Sequence, residues 1–231
     1  SEMCIRDRFI TASRGNHGEI MDFLREASRK EYAGRALQLL ATLSEKDLRD
    51  TPSAVLADHL YNTDKDADAA TVLAPRAANE MLTAYRSFLQ REIPAADAAA
   101  FRRDPQRLAA WCRDSLTLRP ELCTVSTTIS PEGVWRSRTA DKPSRKIFFV
   151  AAARSLGIPA WIDPVTGNLF YRHAGKDVPV DFESANDRQM ETGRLKLRYE
   201  PIPRLDDPEY FRHFTLSRFD GQSFALLNYP D

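Results

Sequence analysis

The sequence predicts an α+β fold, with a helical amino-terminal portion followed by a helix and an antiparallel β-sheet. From residue 19 to residue 118, apolar residues recur at the three- and four-residue spacing of one helix face. After Pro120 the composition shifts to Thr, Val, Ser and aromatic residues, and several segments alternate apolar with polar side chains. We therefore predict a helical portion at 16–118 and an α+β domain at 119–231, and we interpret the chain as a fragment of a longer protein.

Individual elements follow from local signals. In the helical portion, the first predicted helix has an apolar face that begins at Ile20, and a short helix begins after Pro52. A longer helix is predicted over residues 78–89, and a further helix begins at Asp104-Pro105. In the α+β portion we predict a turn at 130–133, strands at 160–163, 169–172, 177–182 and 194–199, and a hairpin over 211–228 that turns at Asp220-Gly221.

The amino terminus reads unlike the rest of the chain. Its MCIRDR string resembles translated adapter sequence of the kind left in assembled metagenomes. The segment also lacks the charged, apolar and small-residue pattern of a signal peptide. We expect residues 1–15 to be non-native or disordered, and we leave them out of the fold prediction.

Bulk composition excludes several functions. The 231 residues contain 33 Lys+Arg and 33 Asp+Glu, so no net positive charge favours a nucleic-acid partner. No apolar run is long enough to span a membrane. Cys4, Cys112 and Cys123 cannot all pair within the chain, and none has metal-ligand spacing. We expect no cofactor and no metal.

The most informative segment is DKPSRKIFFVAAARSLGIPAWIDPVTG, residues 141–167. Ser144 is predicted to cap a helix that Gly157 and Pro159 end, after which the chain has to become extended. The run R-x-x-G-I-P-A after an Ala-rich helix resembles the transglutaminase-like branch of the papain-type cysteine enzymes. The wider string is similar to a transglutaminase-like domain of large envelope proteins from gut Bacteroidetes.

That resemblance implies a nucleophilic Cys at the amino end of the helix, with a His and an Asp on the following strands. Counted back from Gly157, the position of the Cys is occupied by Lys142. Ser144 offers only a hydroxyl, a poor nucleophile without a well-placed base. The resemblance thus implies a domain that has lost its thiol chemistry, that lies in the periplasm or at the cell surface, and that binds a peptide or a glycan or contacts other domains of the same longer chain.

Two alternatives stay open. In the first, Cys123 replaces the missing thiol, and His173 and Asp181 complete the set of an active cysteine hydrolase or acyl transferase. His173 lies in His-Ala-Gly-Lys between two strands, where the pattern favours an exposed turn histidine over a catalytic one, and Asp181 would equally suit a solvent-facing strand position. In the second, the domain is a purely structural module.

Candidate binding residues cluster at the amino end of the same helix. Asp141, Ser144 and Arg145 could receive a carboxylate, a phosphate or a sugar hydroxyl there, or could instead form a helix cap and an ion pair. Trp135 is a candidate aromatic wall for that cleft, with burial in the core as the alternative. Trp161 stands where the family has Arg and adds an apolar surface.

Overall fold

The computed structural model describes residues 2–119, 127–182, 196–203, 207–219, 224–227 and 229. Helices dominate the first half, and short strands appear after residue 116. The predicted α+β class is therefore confirmed.

Ten helices lie within the described residues. They are α1 (Glu2–Ser13), α2 (His17–Arg29), α3 (Ala33–Ala41), α4 (Glu45–Asp50), α5 (Ser53–Tyr61), α6 (Arg86–Glu92), α7 (Ala95–Arg103), α8 (Gln106–Asp114), α9 (Pro131–Ser137) and α10 (Lys142–Ser155). A π-helical turn, Ala69–Leu73, follows α5.

The strands form three small sheets. They are β1 (Thr117–Leu118), β2 (Thr139–Ala140), β3 (Ala160–Ile162), β4 (Leu169–His173), β5 (Lys176–Val180), β6 (Ser217–Phe219) and β7 (Phe224–Leu226). Strands β1 and β2 pair in parallel, β3, β4 and β5 form an antiparallel sheet in that order, and β6 pairs with β7 as a hairpin. The predicted strands at 160–163, 169–172 and 177–182 are thereby confirmed to within two residues at each end.

Buried apolar side chains divide into two clusters. One runs from Phe9 to Leu73 and belongs to α1–α5 with the π-helical turn. The other runs from Tyr85 to Phe182 and joins α6–α10 to the β3–β5 sheet. The boundary between clusters thus precedes α6, whereas the composition shift predicts a boundary at 118/119. Because α10 is buried along most of its length, it needs cover from the preceding helices as well as from the sheet.

Three local predictions differ from the structure. Residues 2–13, expected to be non-native or disordered, form α1, with Phe9 buried. The turn at 130–133 is the first turn of α9, where the Ser130 hydroxyl accepts the Gly133 N–H at 3.1 Å. Residues 196–200 form no strand, and the Asp220-Gly221 turn lies outside the described residues.

The helix predicted over 78–89 begins only at Arg86. Before it, the buried Glu80 carboxylate accepts the N–H groups of Ala77 and Ala78 at 2.6 and 2.8 Å. These bonds compete with helical backbone pairing, and Arg76 beside them forms an ion pair with the buried Asp47. Tertiary polar contacts therefore override the apolar periodicity of this segment.

Candidate functional site

The amino end of α10 is closed by its own side chains. Asp141 is the N-cap, and its carboxylate accepts the Ser144 N–H at 2.7 Å. Ser144, the predicted cap, instead uses its Oγ to accept the Ile129 N–H at 2.8 Å. Both side chains are fully buried, so the Ser144 hydroxyl holds the preceding segment in place and does not face solvent.

Arg145 is buried, and Trp135 is half-buried. Arg145 is 6% exposed, and its guanidinium carbon lies 4.5 Å from the Phe182 ring centroid. Trp135 stacks on Trp111 with ring centroids 5.2 Å apart, and the Arg138 guanidinium carbon lies 3.8 Å from the Trp135 ring centroid. The structure therefore places Trp135 in the packing between helices, with part of its surface exposed.

The R-x-x-G-I-P-A run forms the carboxyl end of α10 and the start of the strand that follows. Gly157 has φ 78° and Ile158 N–H returns to the Ala153 carbonyl at 2.9 Å, which confirms the predicted stop. Arg154 of R-x-x-G-I-P-A is buried and donates to the carbonyls of Ala160 at 2.8 Å and Ala74 at 2.7 Å. This arginine has a structural role, since it ties the helix to β3 and to the segment after the π-helical turn.

Lys142 is the first residue of α10 and is exposed. One turn later, Lys146 Nζ donates to the Gly167 carbonyl at 2.6 Å. The pKa of Lys146 is lowered, first by burial and then by the positive charge of Arg218. Arg218 in turn donates to Asn168 Oδ1 at 2.9 Å, so two cations bind consecutive residues of one turn.

Strand register separates the two predicted catalytic partners of Cys123. Leu169 pairs with Val180, which puts Asp181 beside Asn168 at the end of the sheet near the amino end of α10. His173 pairs with Lys176 at the opposite end of the same hairpin. At about 3.3 Å per residue the two side chains lie roughly 15 Å apart along the strands. The structure does not bring His173 and Asp181 together.

Asn168, and not His173, lies across the hairpin from Asp181. His173 was chosen from the sequence because it is the next histidine in chain order. The usable signal was the hairpin itself, since counting back across the strand pair from Asp181 leads to Asn168. An amide there accepts or donates hydrogen bonds but takes up no proton at neutral pH.

No thiol whose side chain is described meets an imidazole. Cys112 is fully buried in α8, and burial raises the pKa of its thiol. Cys123 lies outside the described residues. The buried His59 donates from Nε2 to the Thr83 carbonyl at 3.0 Å and accepts the Arg86 Nε–H at 3.3 Å on Nδ1. Both ring nitrogens of that histidine therefore have structural partners.

Trp161, whose partner the sequence did not reveal, stacks on its cross-strand neighbour Phe170 at 5.7 Å. The guanidinium carbon of Arg172 lies 5.4 Å from the Trp161 ring centroid, and Arg172 pairs with Asp177 at 2.7 Å. These contacts form a row across the outer face of the sheet.

Within the described part of the chain, no group of three or more His, Cys, Asp or Glu side chains could hold a metal ion. Among the same residues, no helix combines the length and apolarity that crossing a bilayer requires. Comparison of the chain with protein-family models, with curated proteins and with solved structures found no match.

Proposed function

We propose that this chain is a transglutaminase-like domain that has lost its thiol chemistry and serves as a peptide-binding module. The observation that supports it most is the set of side chains at the amino end of α10. By the resemblance, Lys142 stands at the nucleophile position and Asn168, across the hairpin from Asp181, at the imidazole position, and the Ser144 hydroxyl in the first turn of α10 is buried and bonded. A lysine, an amide and a carboxylate at this place can hold a ligand but offer no thiolate and no histidine base.

A peptide suits the surface better than a glycan does. A sugar ring packs best on an open indole face, and the chain has 3 tryptophans. Trp111 and Trp135 stack on each other, and the Arg138 guanidinium contacts both rings. Trp161 stacks on Phe170, and the Arg172 guanidinium contacts its ring. Exposed apolar groups do occur beside Arg218, where Phe219 and Phe224 are 57% and 74% exposed, and these suit apolar side chains of a peptide.

The resemblance also suggests where such a module would act. We place it in the periplasm or at the surface of a gut bacterium, within a larger envelope protein whose other domains it contacts. The purely structural alternative would share that setting but would bind no peptide.

Loss of catalysis is tested by turnover. We expect no hydroxamate when the protein is incubated with a glutaminyl peptide and hydroxylamine, and no hydrolysis of a peptide ester, because the described residues hold no nucleophile–base pair. Product formation that disappears in Cys123→Ala but persists in Cys112→Ala would refute the inactive assignment and establish the cysteine enzyme.

Alkylation of Cys123 by iodoacetamide gives a second, independent measurement. We expect a rate that rises with pH around the ordinary thiol pKa of about 8.5, as for an unactivated cysteine. Rapid alkylation that persists well below neutral pH would instead indicate a thiolate stabilised by a neighbouring base.

A further inference from the structure

We propose that the ligand is an acidic peptide, held through a carboxylate by a cationic cluster formed by Lys142, Lys146 and Arg218. This inference rests on the proposed function, because it names the ligand class of the same site. Lys142 and Lys146 come from α10 and Arg218 comes from β6, two elements far apart in the sequence, and Lys146 and Arg218 meet at the Gly167–Asn168 turn.

Hydrogen bonds fix two of the cations. The Lys146 ammonium and the Arg218 guanidinium bind Gly167 and Asn168, which are adjacent in the chain, so the two charges are held side by side. Lys142 lies one helical turn before Lys146 and therefore on the same face of α10, with the two Cβ atoms about 6 Å apart. Lys146 and Arg218 are thus charges held in place by the turn, and Lys142 adds an exposed cation one helical turn away on the same face.

Donors remain available for a ligand. An ammonium has three N–H donors, and the Gly167 carbonyl takes one from Lys146. Lys142 is exposed, and the structure gives its ammonium no hydrogen bond to another described residue. Such donors can converge on one carboxylate, and charge-assisted bonds of this kind are stronger than neutral ones.

Charge balance favours an anion. The charged groups that act on Lys146 are Arg218, Arg145 and Lys142, all positive, and Asp181, which is negative. Asp163 in the same turn and Asp141 at the start of α10 use their carboxylates to accept backbone N–H groups. Among the groups that act on Lys146 the cations therefore outnumber the one carboxylate, and a carboxylate from a ligand would reduce their mutual repulsion.

The experiment uses two labelled peptides, hexaglutamate and hexaglutamine, whose binding to the whole chain is followed by fluorescence anisotropy. We expect hexaglutamate to bind more tightly than hexaglutamine, with an affinity that falls as ionic strength rises. Lys142→Gln should weaken hexaglutamate about tenfold, the size of one charge-assisted hydrogen bond at an exposed site. Lys142 is exposed, so this substitution leaves the fold intact, which the thermal midpoint checks.

Lys176→Gln is the matched control, because it removes an exposed lysine from β5 at the opposite end of the same sheet. We expect it to leave hexaglutamate affinity unchanged. Equal affinity for the two peptides, absence of binding, or equal effects of the two substitutions would overturn the inference. Tighter, Lys142-dependent binding of hexagalacturonate would overturn the choice of a peptide in favour of an acidic glycan. Thiol-dependent turnover in the separate assays would instead overturn the proposed function.

Discussion

Arg86 Nη1 donates a hydrogen bond to the main-chain carbonyl of Arg154 at 2.8 Å, and the two guanidiniums hold the same stretch of chain. Arg86 Nη2 donates to the Val72 carbonyl at 2.7 Å, and Arg154 donates to the Ala74 carbonyl at 2.7 Å. Both side chains are buried, and the stretch they bind lies between the two apolar clusters. These buried guanidiniums thus donate to backbone carbonyls and not to carboxylates, and the hydrogen bonds join α6, α10 and the π-helical turn.

Arg86→Met should lower the free energy of unfolding by about 3 kcal/mol or more, because it leaves buried carbonyls without donors. Burial lowers the pKa of Arg86 to about 10, so the side chain is still charged at neutral pH and its loss removes charge-assisted bonds. Urea unfolding measures the change. Arg91→Met, on the exposed face of the same helix, is the control and should shift stability by less than about 0.5 kcal/mol. Similar losses of unfolding free energy in the two variants would show that the buried hydrogen bonds of Arg86 stabilise the protein no more than the exposed Arg91 does.

Stability should fall with acid because of His59. Burial, and then the charge of Arg86, hold the pKa of His59 well below its usual value, so the folded protein leaves it neutral. In the unfolded chain the same imidazole takes up a proton near pH 6.5. Below that pH the unfolded state binds more protons, and the free energy of unfolding decreases by up to about 1.4 kcal/mol per pH unit.

The measurement is urea unfolding of the protein and of His59→Gln between neutral pH and pH 5. The stability difference between the two proteins should shrink as the pH falls, since glutamine does not titrate. Curves that stay parallel over this range would rule out His59 as the source of the acid sensitivity.

A cysteine placed at the nucleophile position should be an activated thiol. In Lys142→Cys, made with Cys4→Ala and Cys123→Ala to remove background labelling, the new sulfur is at the amino end of α10, one helical turn before Lys146, which Arg218 in turn acts on. Nearby cations stabilise a thiolate, so its pKa should fall below the ordinary value of about 8.5. Iodoacetamide alkylation as a function of pH measures that pKa.

Lys176→Cys in the same background provides the comparison at the far end of the sheet, and it should alkylate with an ordinary thiol pKa. Neither variant should gain turnover of a glutaminyl peptide, because Asn168 offers no base. Matching pKa values for the two thiols would argue against a cationic environment at the start of α10.

Gly157→Ala should destabilise the protein by about 1 kcal/mol or more, because φ 78° is a conformation that a Cβ disfavours. No heavy atom lies within 4 Å of where that Cβ would go, so the effect comes from the backbone alone. Gly34→Ala, inside α3 where space is also open, should instead leave stability unchanged or raise it. Thermal unfolding of the two variants tests the contrast.

Asp141→Ala should lower the free energy of unfolding by about 1 kcal/mol, the usual effect of losing an N-cap. Asp141→Asn keeps an acceptor for the Ser144 N–H and should lose less. An equal loss in both variants, measured by urea unfolding, would mean that the buried negative charge and not the cap bond holds the start of α10.

Local signals were sufficient for the end of α10 and for β3–β5. The apolar run from Ile147 and the glycine at 157 specify the body and the stop of that helix, whereas its cap was predicted at Ser144 and lies at Asp141. Strand periodicity likewise located β4 and β5. Residues 78–85 were predicted helical and are not, because Glu80 finds backbone partners that the pattern of apolar residues cannot reveal.

The sequence by itself determined the α+β class, the helix stop at Gly157 and the absence of a thiol at the start of α10, since each depends on residue identity and short-range backbone preference. Tertiary structure alone decided that Ser144 and Arg145 are buried, that Trp135 packs partly buried against Trp111, that His173 lies far from Asp181, and that Lys146 and Arg218 meet at one turn. Burial, strand register and contacts between distant residues arise from packing the whole chain, which no local pattern encodes.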